Sequence, residues 1–392
     1  MSRFLAGILI GAALMTAPGL ASAQASAPTP PPFPSMGGPL AADAIAPSFD
    51  LGPLGSKVTI SGALSLLAYD QSNPVPPDEA DRFDPSNAEL FINKASGTVQ
   101  YFVQTGVYSL PALGTPYLPA LSSESALYGL VPVAFIKIAP DKTWSIEAGK
   151  LPTLVGAEGT FTFQNMNIER GLLWNEEPAV SRGVQVNYAK GRLSASVSWN
   201  DGFYSDRFTW VSGSASLTLG PSDTIQFIGA GDLARSRAST LATPLFLNNE
   251  SIFNLIYTHA KGPWTIEPYL QWSHVPAMAA PATPSASTFG AALLVDYVFP
   301  SASKLKGFSL PVRLEWITTT GSAAAGAPNL LFGPGSQAFS FTITPTRQFG
   351  IAFVRAEFSL VEASRTLAGA AFGANGDLRS QARGLAEFGF LF

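Results

Sequence analysis

The chain has 392 residues; 13% are charged and 46% hydrophobic, mean hydropathy is +0.21 and formal net charge is −4. Zero cysteines exclude disulfide scaffolds, thiol catalysis and Cys-ligated metals, two histidines exclude a His-rich centre, and a pI near 5.3 without a basic patch gives no support to nucleic-acid binding. The charged share is about half that of soluble proteins, yet beyond the N-terminus no run of about 18 apolar residues could cross a bilayer as a helix.

Met1–Ala23 reads as a secretory signal peptide: Arg3 is its positive region, Phe4–Leu14 its apolar core, and Ala21-Ser22-Ala23 its small-residue cleavage site. Its removal with Arg3 takes the net charge from −4 to −5. Gln24–Phe49, rich in Ala, Pro and Ser, predicts an unstructured leader that forms neither ladder nor helix. Residues 50–392 then form one domain.

From Val58 onward the hydrophobic period is two, the period of strands. Strands are expected near 58–69, 88–95, 98–108, 127–138, 143–150, 181–189, 192–200, 208–219, 223–233, 251–260, 263–274, 287–299, 308–320, 337–345, 348–361 and 379–392. In the 192–200 segment Leu193, Ala195, Val197 and Trp199 alternate with Ser194, Ser196, Ser198 and Asn200. In the last segment Ala382, Gly384, Ala386, Phe388, Phe390 and Phe392 share one face, while Gln381, Arg383, Leu385, Glu387, Gly389 and Leu391 share the other.

Connections alternate in length. Ser96-Gly97, Pro140-Asp141-Lys142, Lys190-Gly191, Gly220–Ser222, Lys261-Gly262 and Thr346-Arg347 read as tight turns. Long links fall between them at 70–87, 109–126, 151–180, 234–250, 275–286, 321–336 and 362–378; the link 201–207 is the short exception. Eight of nine lysines fall near the short-turn end, and Lys150, at the start of a long loop, is the exception. Acidic residues crowd the long-loop end. This pattern implies an all-β fold: a transmembrane antiparallel up-and-down β-barrel of about 16 strands, with short periplasmic turns and long extracellular loops. Closure removes the unpaired edges that lipid would not tolerate. A barrel of about 16 strands is wide enough for an aqueous lumen, and wall strands with polar inner faces then imply passive diffusion of small hydrophilic solutes.

Residues opposite the apolar face should line that lumen: Glu147, Glu267, Asp296, Arg313, Glu315, Arg355, Glu357, Arg383 and Glu387. Three opposite-charge pairs, Arg313/Glu315, Arg355/Glu357 and Arg383/Glu387, lie on the last strands. They either brace the wall or select solutes. The longest link, Leu151–Val180, carries Glu158, Glu169, Arg170, Glu176 and Glu177, and Asn167–Trp174 could form one or two helical turns. Its Phe161, Phe163, Leu172, Leu173 and Trp174 favour folding inward against a wall, which would set Glu158, Glu169 and Arg170 across the path as a constriction.

The segments Gly149-Lys150-Leu151-Pro152-Thr153, Asn167–Asn175, Glu177–Val184 and Ser198–Tyr204 resemble the β-barrel porin-2, OmpL-like family. The resemblance extends over most of the chain after the leader and implies an outer-membrane porin with little-defined solute choice; it carries over no functional residue. The partners expected of such a barrel are outer-membrane lipid and lipopolysaccharide, small hydrophilic solutes, and the barrel assembly machinery through the strand ending at Phe392. Lumened barrels of this size are often homotrimers in related porin classes. No cofactor or metal is called for. The alternatives are a plugged structural or adhesive barrel and, less favoured, a barrel hydrolase. For the latter His274 is the candidate base, but Ser273 beside it points to the opposite face of the strand.

Overall fold

The computed structural model describes residues 40–41, 47–54, 57–279 and 281–392. The expected signal peptide and most of the expected leader lie outside the described residues.

Sixteen wall strands form a closed antiparallel barrel. In chain order they are β1 (Val58–Gln71), β2 (Asp81–Lys94), β3 (Val99–Tyr108), β4 (Val133–Ile138), β5 (Trp144–Pro152), β6 (Val180–Lys190), β7 (Leu193–Asn200), β8 (Trp210–Thr218), β9 (Asp223–Asp232), β10 (Ser251–Lys261), β11 (Trp264–Val275), β12 (Ala286–Tyr297), β13 (Phe308–Ser309 and Val312–Thr319), β14 (Gln337–Ile343 and Thr346–Phe349), β15 (Ala352–Ser364) and β16 (Ser380–Leu391). Each pairs with its neighbours in sequence, and β1 pairs with β16 from Ala63↔Leu391 to Gln71↔Arg383. Phe392 and Gly62 exchange backbone hydrogen bonds at that seam.

The two-residue alternation sorts the side chains. Outward positions such as Phe83, Trp199, Val197, Phe227 and Trp272 are exposed, as a lipid-facing wall requires. Inward positions such as Gln71, Gln104, Glu267, Arg313 and Arg383 are buried. Trp144–Tyr188 and Trp264–Tyr297 ring pairs sit toward the short-turn end, and Trp199–Phe208 toward the long-loop end, the placement of interfacial girdles.

Several boundaries depart from the sequence expectation, with local causes. Ser48–Phe49 is a short strand paired with Thr59 and Val58, so the end of the expected unstructured leader joins the sheet. β2 begins at Asp81 rather than near 88, because a bulge at Ser65/Leu66 lets Pro85 sit in the ladder without its missing N–H breaking it. The strand expected over 127–138 starts at Val133: Pro132 precedes it, Gly129 adopts φ +75°, and a helix, α1 (Ala120–Ala126), occupies the loop before it. Thr346-Arg347 is strand, not turn. Pro345 interrupts β14 after Ile343, the strand resumes to Phe349, and Gly350 (φ +58°) makes the turn. Pro311 breaks β13 in the same way, and its carbonyl accepts from Thr344 N–H at 2.9 Å, so the two breaks lie side by side. In the long link the short helix is a 3-10 turn at Leu173–Glu176 rather than at 167–174.

Candidate functional site: a lumen loop stapled to the wall

The 151–180 segment lies inside the barrel. Its side chains and backbone bond to inward-facing residues on β10 to β16, and Phe161 meets Tyr108 on β3 edge-to-face while Phe163 lies tilted against Phe91 on β2. A loop in that position needs partners for its own N–H and C=O groups, since an unpaired buried one costs as much as a lost hydrogen bond. The wall supplies them.

Three glutamates receive backbone N–H groups. Glu357 accepts from Ile168 (2.5 Å) and Glu169 (3.0 Å), and Glu315 from Leu172 (2.9 Å) and Leu173 (3.3 Å). Glu158, itself on the loop, accepts from Gly171 at 2.7 Å. Three arginines hold the loop's oxygens. Arg313 donates to Glu158 (2.5 Å) and to the Glu169 carbonyl (2.8 Å). Arg355 donates to the carbonyls of Asn165 (3.1 Å) and Thr162 (3.0 Å) while its guanidinium grips Glu387. Arg383 donates to Glu169 (2.6 Å) and to the carbonyls of Ala112 (3.1 Å) and Thr115 (2.7 Å). Glu387 also accepts from Ser65, Ser86 and Thr162, and Glu169 from Ser359. Charge-assisted bonds of this kind are roughly twice as strong as neutral ones.

On the β10–β12 side the anchors are uncharged. Tyr269 donates to Glu177 at 2.5 Å, Ser273 and Thr288 to Glu176, Gln271 to the Leu173 carbonyl, and Asn254 accepts from Gly156. Gly156 (φ +90°) and Gly171 allow the close fit: a Cβ on Gly156 would meet Glu177 Oε2 at 1.7 Å, and one on Gly171 would meet Glu315 Oε1 at 2.0 Å. Burial pushes Glu176 up to about 7 and Glu177 up to about 8.

Of the residues expected at the constriction, Glu158, Glu169, Arg313, Glu315, Arg355, Glu357, Arg383 and Glu387 come together in this one network. Arg170 is buried apart from it: it donates to the Thr160 carbonyl and lies 4.7 Å from the Trp174 ring. Glu147 stands on another stretch of wall in an ion pair with Lys137 at 3.1 Å. Glu267 accepts from Thr258, and Asp296 is buried on β12. Of the three adjacent pairs read along the strands, Arg313/Glu315 is an ion pair at 3.2 Å, whereas Arg355 pairs with Glu387 on the next strand and Arg383 with Glu169 on the loop. Sequence reasoning missed the uncharged anchors Tyr269, Gln271, Ser273 and Thr288, whose inward alternation on β11 and β12 was their only signal. His274 and Ser273 do face apart, but the register brings Ser287 to His274 Nδ1 at 2.8 Å. Among the described residues, no group of three or more His, Asp or Glu is placed to hold a metal ion.

A closed sixteen-strand barrel with an apolar belt, a polar interior and a loop folded into the lumen defines an outer-membrane porin. The chain belongs to the family described as "Putative beta-barrel porin-2, OmpL-like", whose model matches residues 57–392. Solved porins and channels share the fold at low identity. OmpF of Salmonella typhi has a TM-score of 0.56 at 10% identity, over 88% of this chain and 100% of that one. A loop-deletion form of OmpT, an outer membrane protein of Vibrio cholerae, has 0.56 at 11%, over 86% and 99%. The outer membrane channel DcaP of Acinetobacter baumannii has 0.55 at 9%, over 88% and 99%. No curated protein shows significant sequence similarity to the chain.

Proposed function

We propose that this porin passes small hydrophilic solutes and ions by passive diffusion, along a path between the 151–180 loop and the β6–β9 wall. One observation carries this reading. Inward side chains on that wall keep solvent contact toward the short-turn end, Asn187, Ser194, Ser196, Ser214, Ser216 and Gln226 among them, whereas those of β13–β16 that face the loop are buried. On this reading the Arg–Glu network braces the loop and sets the width, while an uncharged polar wall meets the solute. The lumen's surplus of glutamate over arginine gives mild cation preference. The barrel does no catalysis, takes lipopolysaccharide and lipid on its outer face, is inserted by the assembly machinery through the Phe392 strand, and assembles as a trimer. Its signal peptide directs export. The test is the reversal potential across planar bilayers in a salt gradient: Ser214→Arg should shift selectivity toward anions. Unchanged selectivity would move the path elsewhere.

A second reading keeps the barrel but closes the passage. Within residues 151–180 only Pro152, Leu154, Gln164, Trp174 and Asn175 escape full burial, as a plug would require. Liposome swelling with small sugars separates the two, since a plugged barrel gives none.

A further inference from the structure

Lys150, the one lysine at the long-loop end, has no place in the lumen network. It ends up on the outside. On β5 it follows Trp144, Ile146 and Ala148 along the lipid-facing side, and its register partner on β6 is Arg182, which leads Val184 and Val186 on the same face. The two cations converge on one ring: Lys150 Nζ lies 5.3 Å and Arg182 Cζ 4.1 Å from the centroid of Tyr204. Lys150 donates to the carbonyls of Tyr128 (3.0 Å) and Val131 (2.8 Å), which fixes the ammonium without neutralising it. Arg182 is held by Asp201 at 2.7 Å and Asp206 at 3.3 Å, whereas among the described residues Lys150 makes no ion pair of its own. Below the pair runs an open groove of about 540 Å³ with apolar walls, which include Ala134, Val184, Trp199 and Phe208. Trp199 donates to the Phe208 carbonyl at 2.8 Å and fixes that flank.

We propose that this groove binds an acylated, phosphorylated lipid of the outer leaflet, with the phosphate at Lys150 and Arg182 and an acyl chain along Ala134, Val184 and Trp199. The inference deepens the lipid contact of the proposed function and rests on the same orientation of the barrel. Charge complementarity selects the occupant. A cation held on a lipid-facing wall, at the level of the aromatic girdle, meets headgroup phosphates there, and the apolar groove beneath it fits a chain attached to that phosphate. A free anion would leave the groove empty.

The probe is lipid A carrying both phosphates, followed by native mass spectrometry of the purified porin released from detergent. The wild type should retain it about tenfold better than Lys150→Gln, because a charge-assisted contact is lost. Lys150→Arg should restore retention, and lipid A stripped of phosphate should bind the wild type no better than doubly phosphorylated lipid A binds Lys150→Gln. Equal retention by wild type and Lys150→Gln would overturn the proposal. So would displacement of the lipid by millimolar inorganic phosphate, which would make the acyl chain irrelevant, or a second copy of the chain found covering the groove by cross-linking. Bilayer conductance of the same samples keeps the two readings apart. Lys150→Gln should conduct like the wild type; retained lipid without conductance would fail the channel reading and leave this one standing.

Discussion

Arg355 has no solvent contact, and its guanidinium joins Glu387 on one side to two loop carbonyls on the other. A charge in that setting is tolerated because every direction offers a partner. Removing the arginine leaves Glu387 buried with three hydroxyl donors and no countercharge, leaves the Asn165 carbonyl unpaired, and leaves the Thr162 carbonyl with the Asn165 N–H alone. Breaking a buried pair from one side costs about 3–5 kcal/mol. Arg355→Ala should therefore lower urea-unfolding stability by about that amount in the refolded barrel. A change below about 1 kcal/mol would mean that water or a shifted loop takes over the role. Lys150 makes the opposite case at the same scale. Composition marked it as an exception, and its meaning appears only when strand register sets Arg182 beside it on the lipid side.

The 151–180 loop is the element on which function turns. It has little regular structure, two short 3-10 turns at Thr162–Gln164 and Leu173–Glu176, so its position is set by the wall rather than by its own hydrogen bonds. Wall carboxylates do for it what a helix does internally: they pair consecutive N–H groups, at 168–169 and at 172–173. Gly171 sits between those two sites, where Glu315 approaches too closely for any side chain. Gly171→Val should push Glu315 away, release the loop, and raise single-channel conductance. Unchanged conductance with unchanged stability would show that the loop bends around the added carbons. The inward folding was legible from the five large apolar residues in the loop, which would not stay in water. Its fastening was not, because the partners of residue 169 lie on β15 and β16, about two hundred positions away in the chain.

Across the whole molecule the charges divide by side. Arginine and glutamate concentrate where the loop meets β13–β16, and serine, asparagine and glutamine line much of the wall opposite. Glu176 and Glu177, raised to about 7 and 8, hold protons at mildly acidic pH. Their folded-state values lie above the ordinary carboxyl range, so the folded barrel binds more protons than the unfolded chain between about pH 4.3 and 8. The stability they contribute is fully present below about pH 4.3, falls as pH rises across that window, and is gone once pH has passed through about 7 to 8. The same ionisation adds negative charge to the loop. Cation-over-anion permeability should rise from pH 6 to pH 9, and Glu177→Gln should flatten the rise. A flat wild-type profile would place these carboxyls away from the permeant.

Period-two alternation, the parity of short and long connections and the even strand count were enough to specify a lumened barrel, because a bilayer accepts only closed sheets with apolar exteriors. The same signals placed most strands to within a few residues, and they failed locally where a proline or bulge altered the ladder, at Pro85, Pro132, Pro311 and Pro345. They also set Arg313, Glu315, Arg355, Glu357, Arg383 and Glu387 on the inward face, where they are buried, but passed over Glu89 and Lys137. Whether those charges meet the solute or the loop was decided by the tertiary structure alone. A side chain's face follows from its own strand, but its partner across a lumen depends on how the wall curves and where a distant loop comes to rest.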